Sequence, residues 1–133
     1  MDKKSEKEFI EDLITTFSEI KEDVLDEDWA GITSLQIGCF RRFTQTAIDT
    51  NNGTLALKCF QFVDDNIDEV EFSVENSLSI SWLGKLNFDR NPILFNSLPA
   101  KLEKLYIHLQ NEYSKPLDKK VSDFLNDIAK DSD

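Results

Sequence analysis

Residues 70–86, VEFSVENSLSISWLGKL, carry two competing periods, and the choice between them decides the fold class. Leu78, Ile80 and Trp82 alternate with Ser77, Ser79 and Ser81, which is the pattern of a half-buried strand. Val74, Leu78, Ser81, Trp82 and Leu86 instead fall at helical spacing. A strand needs a partner, and no other segment of the chain reads clearly as one. Helix is therefore favoured here, and the chain as a whole reads as all-α.

Working outward, the flanking segments agree with that choice. Upstream, Asn51-Asn52-Gly53 is a strong stop, because Asn and Gly tolerate left-handed backbone. Thr54 then caps a helix running to about Val63, with Leu57, Phe60 and Val63 inward. Before the stop, roughly 32–51 forms another helix with Ile32, Leu35, Phe40, Phe43 and Ala47 on its inner side. Gly38 weakens its middle. Trp29-Ala30-Gly31 marks a break. Residues 5–27 read as one long amphipathic helix. Its stripe is Phe9, Leu13, Phe17, Ile20 and Val24, widened by Ile10, Ile14 and Leu25, and Ser5 with Glu8 forms a capping box at its start.

Downstream, Asn87 to Pro92 is a loop, and Leu98-Pro99 opens a helix striped by Leu98, Leu102, Leu105, Leu109 and Tyr113. Lys115-Pro116 ends it. A last helix, roughly 117–130, carries Val121, Phe124, Leu125 and Ile128, and Asp131-Ser132-Asp133 frays. The expectation is one domain over residues 1–133, an all-α bundle of five or six helices arranged as α-hairpins.

Composition fits that expectation. A chain of 133 residues with 40% hydrophobic and 31% charged residues is long enough and apolar enough to bury a core. Ten phenylalanines against two tyrosines point to a core built on Phe, while four glycines and three prolines are too few for a turn-rich β-sandwich. The acidic N-terminal stretch has no apolar signal-peptide region, and no apolar run approaches a membrane span, so a cytoplasmic protein with no membrane partner is expected.

The formal net charge is −11, and it is concentrated. Residues 1–28 hold eleven acids against four lysines, and residues 64–75 hold six acids and no base. Outside those two blocks the chain is slightly basic. Helix periodicity accounts for most of the first block as a solvated face. It does not account for the second, which sits around a turn. Clustered negative potential favours a cationic partner and repels phosphate, which disfavours direct nucleic-acid binding.

No constellation of catalytic residues stands out. His108 is the single histidine and lies between Ile107 and Leu109 on a helix, as a structural or surface side chain would. Cys39 and Cys59 each lie in apolar sequence and read as buried thiols. Arg41 and Arg42 beside Cys39 leave open a lowered thiol pKa. Their spacing with one distant histidine makes no zinc site, and DDNIDEVE (64–71) lacks the glycine and spacing of a calcium loop. The expectation is a protein that is not an enzyme and uses no cofactor or metal. Its partner-binding residues are expected to be Asp64, Asp65, Asp68, Glu69, Glu71 and Glu75, joined by Asp26, Glu27, Asp28 and Trp29. An aromatic among acids has the composition of an interface hot spot.

LALKCFQFVDDNIDEVEFSVENSLSISWLGKLNF (55–88) followed by NSLPAKLEKLYIHL (96–109) resembles small acidic helical proteins found beside bacterial polymorphic toxins, the immunity proteins of contact-dependent growth inhibition systems. The shared elements are an apolar-aromatic helix, an acidic turn, the Asn-Ser-Leu-Ser-Ile-Ser-Trp-Leu segment, then Leu-Pro-x-x-Leu and a tyrosine. The resemblance implies a protein that binds a cognate basic toxin, a nuclease with a ribonuclease favoured, and covers its active site. It assigns no individual binding residue. The alternative is a small acidic adaptor or regulatory subunit for another basic protein.

Overall fold

The computed structural model describes residues 3–113, with side chains to Asn111. The expected helix over 117–130, the Lys115-Pro116 break and the Asp131–Asp133 end lie outside the described residues, as does the side chain of Tyr113.

The first helix, α1 (Glu6–Thr16), starts on the expected capping box. Ser5 Oγ accepts from the Glu8 N–H, and Glu8 Oε1 accepts from the Ser5 N–H, each at 3.2 Å. It does not continue to residue 27. The helix stops at Phe17, whose φ/ψ of −121°/71° is not helical; a 3₁₀ turn (Ser18–Ile20) and the short α2 (Lys21–Val24) follow. Thr15, Thr16 and Phe17 have only modest helix propensity, and Thr15 Oγ1 donates back to the Glu11 carbonyl at 2.7 Å. The break keeps the expected stripe inside: Phe9, Leu13, Phe17, Ile20 and Val24 are all buried. Spacings of three and four are compatible with either path, so the stripe was legible and the break was not.

Helix α3 (Thr33–Asp49) is the centre of the fold, packed against α1, α2, α4 (Gly53–Asn66), α5 (Phe72–Ser77) and the turn that follows α5. Its inner face is Ile37, Phe40, Thr44, Ala47 and Ile48, with Gln36 buried beside them. Ile32 and Leu35, expected inward, are 47% and 49% exposed. Polar side chains occupy inner positions because each is hydrogen bonded. Gln36 Nε2 donates to the Val24 carbonyl at 3.1 Å, and Thr44 Oγ1 donates to the Phe40 carbonyl at 2.9 Å. Hydrophobicity alone therefore put the stripe on the wrong side at the start of α3.

The α3–α4 hairpin turns where expected, with Asn51 at φ 57°. The cap of α4 is Asn52, two residues before the expected Thr54: its side chain accepts from the Leu55 N–H at 3.3 Å. Helix α4 buries Ala56, Cys59, Phe60, Phe62 and Val63 and leaves Leu57 46% exposed, contrary to expectation. It also runs three residues beyond Val63, through Asp64 and Asp65.

Residues 70–86 are helical. The α5 helix passes into a π-helical turn (Leu78–Trp82) and a 3₁₀ turn (Leu83–Lys85). The wider turn, closed by the Leu83 N–H on the Leu78 carbonyl, brings Leu78, Trp82 and Leu83 all fully into the core. A further 3₁₀ turn (Pro92–Ser97) leads to α6 (Ala100–Tyr113), which buries Leu102 and Leu109. Among the described residues there is no strand, only one parallel β-bridge between Lys4 and Val70. The fold is an all-α bundle. Its core is the expected Phe assembly, a run of ring contacts from Phe9 through Phe62, Phe17, Phe40, Trp82, Phe60 and Phe88 to Phe95 and Tyr106.

Candidate protein-binding surface

The second acidic block is tied to the start of α1, and the turn carrying the last acids of the first block lies along the same helix. The second block arrives through the β-bridge: the Lys4 N–H donates to the Glu69 carbonyl (2.8 Å), and the Glu71 N–H donates to the Lys4 carbonyl (2.9 Å). The acids of the first block at Asp26–Asp28 sit on the turn from Leu25 to Gly31, whose two ends line a groove with Glu6 to Ile14 of α1.

Within residues 64–75 the carboxylates differ sharply in company. Lys101, reaching from α6, sits 2.8 Å from Asp68 Oδ2 and 3.7 Å from Asp64 Oδ1, and also donates to the Asp64 carbonyl at 3.0 Å. The 3.7 Å approach to Asp64 is an electrostatic contact and too long for a hydrogen bond, so Asp64 Oδ1 has no hydrogen-bond partner among the described residues. Lys3 Nζ donates to the Asp68 carbonyl, and Lys4 Nζ donates to Asn66 Oδ1 (2.8 Å) while pairing with Asp12 at 2.7 Å. Asp65 accepts from Gln61 Nε2 at 2.7 Å. Glu69, Glu71 and Glu75 are exposed. The block that holds no base in sequence thus receives three lysines in space, which relieves part of its self-repulsion internally. Local sequence could not reveal them, because Lys101 is more than thirty residues away.

The hydrogen bond to Asp68 leads the causes that raise the Lys101 pKa above its ordinary value of 10.5. A raised ammonium pKa contributes stability at neutral pH that is lost as pH climbs past that value. The site is well exposed, so the contribution is small. Lys101→Gln is expected to cost about 0.2–1 kcal/mol in low salt, and the difference from wild type should shrink at about 1 M salt as the pair is screened. Urea denaturation at the two salt concentrations checks this; equal losses at both would mean the lysine acts through packing.

Asp26, Glu27, Asp28 and Trp29 form the turn after α2. Asp26 Oδ1 accepts from the Asp28 N–H at 2.9 Å, and the Trp29 N–H donates to the Asp26 carbonyl at 3.2 Å. The Trp29 indole is half-buried and its Nε1–H donates to the Asp23 carbonyl at 2.6 Å, so the ring is held in place as an edge of the core. No hydrogen bond or ion pair joins this turn to residues 64–75 among the described residues.

A groove of about 360 Å³ runs between α1 and that turn, lined by Glu6, Lys7, Ile10, Glu11, Ile14, Leu25, Gly31, Thr33 and Gln36. Leu25 is 46% exposed and Ile14 half-buried. Ile10, Ile14 and Leu25 are the residues that widened the α1 stripe; Ile10 is buried in the core, while Ile14 and Leu25 reach beyond it. That surplus was the available sequence signal for the groove.

A second concavity, about 340 Å³, lies at the C-terminal half of α3 and gathers Arg41, Lys85 and Arg90 with Asp49 and Asp89. The three bases form no ion pair among the described residues. The Gln45 carboxamide frames it, donating to the Asn87 carbonyl (2.7 Å) and accepting from the Asn87 N–H (2.9 Å). The basic residues that look scattered in sequence are therefore partly grouped, at the end of α3 away from the acidic turn.

Neither cysteine is set up as a nucleophile. Burial, followed by Asp23, pushes the Cys39 thiol up despite the Arg42 guanidinium donating to its sulfur at 3.3 Å. Burial pushes Cys59 up to about 11. Both thiols are free and buried. His108 is exposed, and no metal-ligand cluster forms among the described residues. No helix among them is long and apolar enough to cross a membrane.

Neither the curated proteins nor the solved structures contain a match to this chain. Residues 10–114, from the second turn of α1 to the end of α6, match the domain of unknown function DUF7674 along their length, and the chain belongs to that family.

Proposed function

We propose that this chain is an immunity protein of a bacterial contact-dependent growth inhibition or polymorphic toxin system. It binds a cognate basic toxin domain in the cytoplasm, a nuclease with a ribonuclease favoured, and covers the toxin's active site without catalysis of its own. The observation that carries the reading is the concentration of exposed carboxylates around α1: Glu69 and Glu71 lie on the segment tied to Lys4 just before the helix, and Glu6 and Glu11 border an apolar groove along it. A nuclease holds phosphate with Lys and Arg, and carboxylates presented by an inhibitor can take the place of that phosphate. Opposite fields then steer encounter, with association at about 10⁸ M⁻¹s⁻¹ or faster in low salt and a steep fall as salt is added. The resemblance over residues 55–109 supports the same reading.

The test is co-purification with the product of the adjacent upstream gene, and survival of cells that express that product. Deleting this chain should abolish survival, and restoring it should rescue. Unchanged survival would sink the proposal; tight, non-inhibitory binding to another basic protein would favour an adaptor role. Changing Asp64, Asp65, Asp68 and Glu69 together to Asn or Gln should slow association more than it hastens release. An unaltered on-rate and salt dependence would remove that block from the interface.

A further inference from the structure

Three features compete as the seat of a partner: the 64–75 block, the basic concavity at the end of α3, and the groove on α1. The block is partly neutralised by Lys101, Lys3 and Lys4. The basic concavity holds carboxylates of Asp49 and Asp89 among its bases, and nothing else in it selects a ligand. The groove combines an apolar floor with an excess of one charge.

Its floor is Ile10, Ile14 and Leu25, of which Leu25 is 46% exposed and Ile14 half-buried. Partly exposed aliphatic side chains such as Ile14 and Leu25, standing on a buried one such as Ile10 at a concave surface, are the usual mark of a contact site. The floor is bordered by Glu6 and Glu11 from α1. Leu25 and Gly31 both line the groove, and the turn between them carries Asp26, Glu27 and Asp28. Lys7 is the one base in this set of six charged residues. Asp26 and Trp29 hold the turn that carries these acids in shape through their own hydrogen bonds.

We propose that this groove receives a basic amphipathic helix of the partner, its apolar face on Ile10, Ile14 and Leu25 and its Lys or Arg side chains over Glu6, Glu11 and the Asp26–Asp28 rim. A helix presents apolar anchors at i, i+3, i+4 and i+7 along one stripe and flanks them with charge, which matches a channel that is apolar along its floor and acidic at its edges. An acidic or neutral segment would bring no countercharge to the rim. The inference rests on the reading of this chain as a binder of a basic protein, and it moves the contact from residues 64–75 to α1 and the α2–α3 turn.

The probe is a synthetic 18-residue helical peptide of leucine and lysine with leucines at that spacing, titrated into the full chain. Calorimetry gives the Kd and methyl chemical shifts give the location. Two control peptides are oligolysine of the same charge and a leucine–glutamate peptide of the same pattern. The expected result is shifts concentrated at Ile10, Ile14 and Leu25, and an affinity at least about tenfold above both controls. Leu25→Ser, at a position already half-exposed, should weaken binding by about tenfold, the order expected for an anchor contact. Glu6→Gln with Glu11→Gln should weaken it and flatten its salt dependence. Equal binding of oligolysine, shifts confined to residues 64–75, or an unchanged Kd for Leu25→Ser would each overturn the proposal. So would an NOE from Phe124 or Leu125 to the groove methyls in the peptide-free protein, which would make the chain's own C-terminal segment the occupant. Should a variant fail to fold, the wild-type shift map still decides.

The two readings fail separately. A groove that binds the peptide in a protein that protects no cell leaves the groove standing and the immunity reading refuted. Full protection by Leu25→Ser and by Glu6→Gln with Glu11→Gln leaves immunity standing and the groove refuted.

Discussion

Replacing Trp82 with alanine is expected to destabilise the fold by about 3–5 kcal/mol, a large part of the roughly 5–15 kcal/mol that holds a domain of this size together. The indole is fully buried and stacks on Phe40 at 5.7 Å with the planes 9° apart, while Phe60 meets it edge-on at 6.4 Å. Its Nε1–H donates to Thr44 Oγ1 at 3.0 Å, across to the centre of α3. Alanine would leave a cavity bounded by rigid rings that cannot collapse into it, and the Thr44 oxygen would lose a donor in a dry site. Trp82→Phe keeps an aromatic ring but loses that hydrogen bond, and should cost about 1–3 kcal/mol. Urea denaturation followed by circular dichroism measures both. A loss below about 1 kcal/mol for Trp82→Ala would mean that the π-helical turn does not anchor to α3 through this side chain.

Phe17→Ala should cost a similar amount, about 3–5 kcal/mol, for a different architectural reason. Phe17 is the residue at which α1 ends, and its ring is fully buried against Phe40 at 5.2 Å, Phe62 at 5.5 Å and Phe43 at 5.8 Å. Lys58 Nζ lies 5.2 Å from the ring centre, a contact whose loss alone is worth about 0.5–1 kcal/mol at a surface position. Alanine is the better helix former, so local propensity at this position would favour the variant; the packing of three rings outweighs it. The expected outcome is a cooperative loss of stability with no gain of helix between residues 16 and 21. Lys58→Met should cost under about 1 kcal/mol, which separates the ring packing from the cation contact. If Phe17→Ala were neutral, the break after α1 would be a property of the Ser18–Ile20 turn rather than of the core.

Both positions show how a correct stripe can coexist with a wrong path. The buried set of α1 and α2 was readable because Phe9, Leu13, Phe17, Ile20 and Val24 repeat at three and four, and that spacing survives the change from α to 3₁₀ geometry. The interruption itself was not readable, since no Gly or Pro marks it. On α3 the error ran the other way. Ile32 and Leu35 are apolar and exposed, whereas Gln36 and Thr44 are polar and buried, because hydrogen bonds to Val24, Phe40 and Trp82 satisfy them. The ambiguous 77–82 stretch resolved as helix, and its alternation of Leu78 and Trp82 with serine came from the π-helical turn, whose wider spacing mimics neither regular period.

For the binding surface, the identity of the acids was plain in the sequence and their electrostatic standing was not. Asp64 and Asp68 looked unpaired because no base lies within residues 64–75; Lys101 is 33 and 37 positions away and less than 4 Å distant in space. Coulomb interaction depends on separation in space, and a helix carries a side chain across such sequence gaps without leaving a local trace. The amino-acid sequence by itself determined an all-α fold, its Phe-rich core and its concentrated negative charge, because periodicity and composition act over a few residues. Only the tertiary structure decided which acids are paired, that residues 69–71 are tied to Lys4 just before α1, and that Ile10, Ile14 and Leu25 form the floor of a groove, because each of these is set by the packing of elements that are remote along the chain.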